Sequence, residues 1–186
     1  PGPYLTPAAT TVSILAIPEG YYNPSTDELN MSDTVRVYLH SGISPFSKVD
    51  SAIGIINPVT HSGIFTFNNV SNGNYYIRLV HRNCIETWSA VPQALSNYDL
   101  TSSASQAYGN NLKQVDNSPI RFAIFSGDVN QDGTIDASDL SDTDNDSFTG
   151  LSGYVRTDVT GDNFVDAADV SIVDNNAFNA VSVVRP

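Results

Sequence analysis

One stretch of this chain repeats itself. Asp128-Val129-Asn130-Gln131-Asp132-Gly133-Thr134-Ile135-Asp136-Ala137-Ser138-Asp139-Leu140 returns thirty residues later as Asp158-Val159-Thr160-Gly161-Asp162-Asn163-Phe164-Val165-Asp166-Ala167-Ala168-Asp169-Val170. The likeness continues beyond, with Asp144-Asn145 matched by Asp174-Asn175 and Phe148 by Phe178. Two copies of one loop-helix unit account for it.

The oxygens of each copy sit where a calcium loop needs them. Calcium takes six to eight oxygen ligands, and a twelve-residue loop supplies them from positions 1, 3, 5, 7, 9 and 12, with a sharp turn at position 6. The first copy offers Asp128, Asn130, Asp132, the carbonyl of Thr134, Asp136 and Asp139, with Gly133 at the turn. The second offers Asp158, Thr160, Asp162, the carbonyl of Phe164, Asp166 and Asp169, with Asn163 at the turn. Ile135 and Val165, at position 8, are expected to pack inward. Thr160 is a poorer ligand than Asn or Asp, and Asn163 replaces glycine at a position that Asn tolerates. The second loop is therefore expected to bind more loosely. Asp, Asn and Gly are common in ordinary turns, but one register of oxygens used twice goes beyond turn composition. Without metal the carboxylates of each loop repel one another, so folding and uptake of the two Ca2+ ions are expected to be coupled.

These residues carry a resemblance. The stretch 126–186 resembles a type I dockerin, a duplicated loop-helix calcium module whose last ligand is Asp where an EF-hand has Glu. The resemblance implies docking into a cohesin, through a Ser-Thr pair at the loop-helix junction and basic residues further along the helix. Here the junctions read Ala137-Ser138 and Ala167-Ala168, and the helix positions read Asp144-Asn145 and Asp174-Asn175, so those contacts are altered. Asp142, Asp144 and Asp146 read as a solvated face.

The stretch 1–125 has a different grammar. Short β-rich runs at 11–17, 34–40, 51–56, 63–67, 75–81, 85–90 and 119–125 are broken by Gly, Pro, Asn and Ser, as in an all-β sandwich. Val35, Val37 and Leu39 alternate with Arg36 and Tyr38, which gives that strand one core face. Gly63-Ile64-Phe65-Thr66-Phe67, Asn68-Asn69-Val70-Ser71-Asn72-Gly73 and Asn74-Tyr75-Tyr76-Ile77 read as strand, turn and strand of one hairpin, with Gly73 at a positive φ. This run resembles the signature of transthyretin-like repeats in surface adhesins and of carboxypeptidase regulatory-like domains. The expected fold class is thus a mainly β sandwich with an N-terminal extended strand, followed by a small α calcium-loop-helix dockerin-like domain.

Charge and composition exclude other classes. The net charge is -12, and twelve of the twenty acidic residues follow Ser126, offset there only by Arg156 and Arg185. With eight Lys and Arg in all and no basic stripe, a nucleic-acid partner lacks its electrostatic footprint. No apolar run has the length of a membrane span. The chain starts at Pro1, which reads as an exported product that has lost its signal, extracellular or at the cell surface. The single cysteine, Cys84, reads as a buried small hydrophobe.

Catalysis finds no residue set. His40, His61 and His81 lie in separate β segments, and strict strand alternation would put His81 and Cys84 on opposite faces. Tyr21-Tyr22, Tyr75-Tyr76 and Trp88 could stack a carbohydrate. Asn30, Asn69 and Asn145 head Asn-x-Ser sequences, and Asp33-Thr34-Val35 and Asp50-Ser51-Ala52 resemble bacterial O-glycosylation sites, so attached glycan is plausible for an exported protein. The leading expectation is a non-catalytic extracellular structural or assembly protein, with segment 4–17 adding as a strand to a neighbouring copy in a filament or surface layer. The alternative is a binding module, for a cohesin or a carbohydrate, of a larger enzyme system.

Overall fold

The structure, a computed structural model, is described for residues 9–186. Its strands are β1 (Thr10–Leu15), β2 (Tyr22–Asn23), β3 (Glu28–Leu29), β4 (Asp33–Ser41), β5 (Lys48–Ile56), β6 (Ser62–Phe67), β7 (Asn74–His81), β8 (Thr87–Trp88), β9 (Gln93–Ala94), β10 (Tyr98–Asp99), β11 (Lys113–Asn117) and β12 (Ile120–Ala123). Two helices follow, α1 (Ala137–Thr149) and α2 (Ala167–Phe178).

One sheet runs β5-β4-β7-β8, with β9 also paired to β7; a second runs β10-β1-β6. Alternation explains how they meet. Val35, Val37 and Leu39 of β4 and Ile77 and Leu79 of β7 point one way, while Val12 and Ile14 of β1 and Phe65 and Phe67 of β6 point back, all within one buried cluster. β4 binds β5 and β7 on its two edges in antiparallel register, with Val37 opposite both Ala52 and Leu79.

The structure corrects three expectations here. The first concerns the hairpin: β6 pairs with β1, whereas β7 pairs with β4, so these strands belong to different sheets. Their connection crosses the sandwich, held by Asp50 Oδ2, which accepts from the amides of Asn68 and Asn69 at 2.8 and 2.9 Å. Alternation is the same for a hairpin and for two facing sheets, so it could not distinguish them.

The second concerns the terminal donor strand. Part of segment 4–17 lies outside the described residues, but its β1 portion is paired within the chain, antiparallel to β6 and parallel to β10. β6 pairs with β1 along its whole length and β10 with its last two residues, Ile14 and Leu15, so this portion is built into the chain's own sheet.

The third concerns fold class. The tail does not form a separate small α dockerin-like domain; a single β-sandwich-like unit with two helices extends over the described chain. Ile85 of the sandwich shares one buried cluster with Val129, Ile135, Val159 and Val173 of the tail, with Phe125 packed against it. Gly20 approaches the Val159 carbonyl so closely that a Cβ there would lie 2.1 Å from its oxygen. Asn176 Nδ2 donates to Glu19 Oε2 at 2.7 Å and to the Ser126 carbonyl at 2.8 Å. The composition shift near Ser126 marks a change of local structure rather than a domain boundary, because the apolar side of the repeat is completed by sandwich residues.

No described helix is long and apolar enough to cross a membrane.

Candidate functional site

The two repeat loops share most of their internal wiring. In the first, Asp128 Oδ1 accepts from the Asp132 amide at 3.1 Å and Oδ2 from Gly133 at 3.2 Å. Asp132 Oδ1 takes the Thr134 amide at 3.0 Å and Asp136 Oδ1 the Ser138 amide at 2.7 Å. Asp139 closes the loop, accepting from Val129, Asn130 and Asp136 at 2.9, 3.1 and 3.1 Å. In the second, Asp158 Oδ1 accepts from Gly161 at 2.8 Å and from Asp162 at 3.2 Å, and Oδ2 from Asn163 at 3.3 Å. Asp162 takes the Phe164 amide, Asp166 the Ala168 amide, and Asp169 the amides of Thr160 and Asp166. Asp136 and Asp166 also cap α1 and α2, each in a reciprocal capping box with Asp139 or Asp169.

The turn positions follow the same rule. Gly133 has φ 93° and Asn163 φ 72°, both left-handed. Ile135 and Val165 are buried, as expected of position 8.

The loops also exchange supports. Ile135 donates to the Val181 carbonyl and Val183 to the Gly133 carbonyl, both at 2.9 Å, so the segment after α2 braces the first loop. Val165 donates to Leu151 at 2.9 Å and Gly153 to Asn163 at 2.8 Å, so the segment after α1 braces the second.

Among the described residues no three His, Cys, Asp or Glu side chains are gathered closely enough to hold an ion alone. A complete shell would also draw on Asn130 or Thr160 and on the carbonyls of Thr134 and Phe164. The donors are oxygen throughout, which suits a hard cation. Burial makes the same point electrostatically. Asp128, Asp139, Asp158 and Asp169 are buried, and burial together with Asp139 and Asp132 pushes the Asp128 carboxyl up to about 6. Asp139 and Asp169 are raised chiefly by burial as well. In each loop these are the oxygens that would hold a calcium ion.

A second group was invisible in the sequence. Asp33, at the start of β4, accepts from Tyr21 Oη at 2.7 Å, lies 3.0 Å from His81 Nε2, and accepts from Arg82 Nε at 2.8 Å and Tyr154 Oη at 2.5 Å. His81 Nδ1 lies 3.1 Å from Cys84 Sγ, which is itself 3.4 Å from Ser126 Oγ. Burial opposes charge on the His81 imidazole, but Cys84 and Asp33 outweigh it and raise its pKa to about 9. Burial likewise opposes the Asp33 carboxylate, yet His81, Tyr154 and Tyr21 hold it well below the usual range. The expectation that His81 and Cys84 face apart is corrected: β7 ends at His81, and the turn through Arg82 and Asn83 brings Cys84 back beneath it. Cys84 is buried in the core cluster, as expected, and its thiol also borders this polar network. Cysteine, histidine and aspartate have triad-like neighbours, but all three are buried, so a substrate has no access to them.

The aromatic carbohydrate platform is also corrected, since Tyr21, Tyr22, Tyr75, Tyr76 and Trp88 are all buried. All three Asn-x-Ser asparagines, Asn30, Asn69 and Asn145, are exposed, and Asn30 Nδ2 donates to the Thr160 carbonyl at 2.8 Å. Asp142 pairs with Arg156 at 3.4 Å, and Asp146 accepts from Thr157 Oγ1 at 2.7 Å.

The outer face of the helices carries apolar groups in solvent. Ala137, Leu140, Ser141 and Asp144 of α1 and Val170 and Asp174 of α2 line a shallow depression of about 510 Å³. One turn beyond the two aspartates stand Phe148 and Phe178, 92% and 89% exposed.

No family model matches the chain, and no curated protein does. Solved structures match its fold. Two are crystal structures of type II cohesin–X-dockerin complexes from Acetivibrio cellulolyticus, one with a C-terminal and one with an N-terminal interface mutant. In each the matched chain is 19% identical with a TM-score of 0.53, over 90% of this chain and 94% of that chain. At that identity the likeness is one of fold. The type I dockerin, transthyretin-like and carboxypeptidase regulatory-like resemblances rest on their sequence motifs alone.

Proposed function

We propose that this chain is a non-catalytic extracellular recognition module that docks a partner protein of the cohesin–dockerin kind through the outer face of α1 and α2. One calcium ion in each loop would hold that face in shape. The observation that carries the reading is the pair Phe148 and Phe178, two large apolar rings left in solvent at equivalent places in a duplicated unit. Isolated exposed apolar residues are ordinary, but a matched pair flanking a depression is how a docking patch presents its anchors. Asp144 and Asp174 beside them call for basic groups on the partner. Support for the class of partner comes from the fold likeness to cohesin–X-dockerin chains along nearly the whole length.

Binding calorimetry against a type II cohesin, with calcium and with chelator, tests it. Binding that requires calcium and weakens at least about tenfold in F148A/F178A, as expected for two anchors worth about 1–2 kcal/mol together, supports the reading. Binding to an isolated dockerin with unchanged affinity in F148A/F178A would move the contact to the sandwich and overturn it.

A further inference from the structure

The two loops differ in one respect that their sequences hide. Arg82, in the turn after β7, reaches into the second loop: its Nη2 lies 3.7 Å from Asp158 Oδ2 and donates to the Asp158 carbonyl at 3.3 Å. Its Nη1 donates to the Val155 carbonyl, and its Nη2 also meets Tyr21 Oη. The guanidinium stacks on Tyr154, 4.3 Å from the ring centroid. The Asp158 carbonyl takes a further bond from Asn83 Nδ2 at 2.9 Å, and the Thr160 carbonyl one from Asn30 Nδ2. The second loop is thus braced by the sandwich and carries a cation beside its first ligand.

The first loop has neither advantage. Among the described residues no Lys or Arg forms an ion pair with Asp128, Asp132, Asp136 or Asp139. The nearby Arg78 and Arg185 are both spent on Glu86. From the sandwich it receives a single bond, Gln131 Nε2 to the Cys84 carbonyl at 3.2 Å.

We propose that Arg82 is a resident counter-cation of the second loop, so that this loop keeps its shape without metal while the first depends on calcium for its own. The inference rests on the calcium reading above. A positive group at the first ligand neutralises part of the charge that calcium would otherwise satisfy, stabilising the empty loop and opposing the filled one. The two sites are then unequal for a reason beyond Thr160 and Asn163, and the sandwich, which holds Arg82 through Asp33 at 2.8 Å, sets the difference.

Calcium titration of the whole chain in a D132A background, which leaves the second loop alone to bind, provides the test. Arg82→Gln keeps an amide donor for the loop carbonyls and removes the charge; Arg82→Lys keeps the charge. The expected result is calcium affinity at the second loop raised about tenfold in R82Q, a cautious discount on unit charges at this separation, and unchanged within about twofold in R82K. Equal or weaker affinity in R82Q overturns the proposal, because Arg82 would then be a scaffold for the filled loop. An R82Q chain that is unfolded in chelator and refolds with calcium supports it, and one unfolded in both conditions overturns it. A wild-type chain that takes up no calcium overturns both this proposal and the calcium reading, whereas an inert R82Q in a calcium-binding chain overturns this one alone.

Discussion

Replacing Asp33 by Asn keeps the shape of the side chain and removes its charge. Asp33 is buried and is the acceptor shared by Tyr21, His81, Arg82 and Tyr154. Without it the His81 imidazolium and Arg82 face each other with no anion between them, and breaking a buried pair in this way costs about 3–5 kcal/mol. The His81 shift points the same way, although Cys84 contributes to it as well as Asp33. Its pKa is raised from 6.5 to about 9, and without Asp33 part of that shift is lost, so the protonated ring is held less firmly. For a chain of this size 1 kcal/mol moves the melting temperature by about 2–4 °C, so D33N should melt about 10 °C below wild type at pH 7. The sign with pH follows from the two shifts. His81 has a raised pKa, so its contribution is complete below 6.5 and is lost as pH climbs through about 9. Asp33 has a depressed pKa, so its contribution is present above the ordinary carboxylate range and is lost as pH falls below it. The gap between wild type and D33N should therefore be wide near pH 7 and narrow by pH 10. Calorimetric melts at both values, in excess calcium, measure it. A D33N chain within 1 °C of wild type at pH 7, or a gap of equal width at pH 10, would refute the argument.

Gly161 has φ 70°, and a Cβ there would lie 2.9 Å from the Tyr21 ring; G161A is expected to cost about 2–4 kcal/mol in a denaturant melt, and a loss under 1 kcal/mol would contradict that packing. Cys84 Sγ is buried between His81 and Ser126, so a thiol reagent should label it at the rate of local opening and label it at once in denaturant. Rapid labelling of the native chain, seen by mass spectrometry, would count against the closed network.

Local rules were legible in the sequence. The alternation of Val35, Val37 and Leu39 places a buried face on β4, and the register of Asp128 to Asp139 gives the loop its internal bonds because backbone amides follow side-chain spacing over a dozen residues. What faces what was not legible. Asp33, His81, Arg82 and Tyr154 are far apart in the chain, and nothing in their spacing announces a cluster. The register turns Ile135 inward, but periodicity says only that a side chain seeks cover, not that Ile85 supplies part of it. For the same reason β6 and β7 read as one hairpin, and the tail read as a domain of its own.

The crossed bracing of the loops has a mechanical consequence. Load applied at Pro186 reaches the first loop before the second, since Val181 and Val183 hold Ile135 and Gly133. Cutting the chain after α2 would strip the brace from a loop some forty residues upstream and leave its own sequence untouched. The last few residues are a clasp, fastened to the half of the repeat that they do not follow.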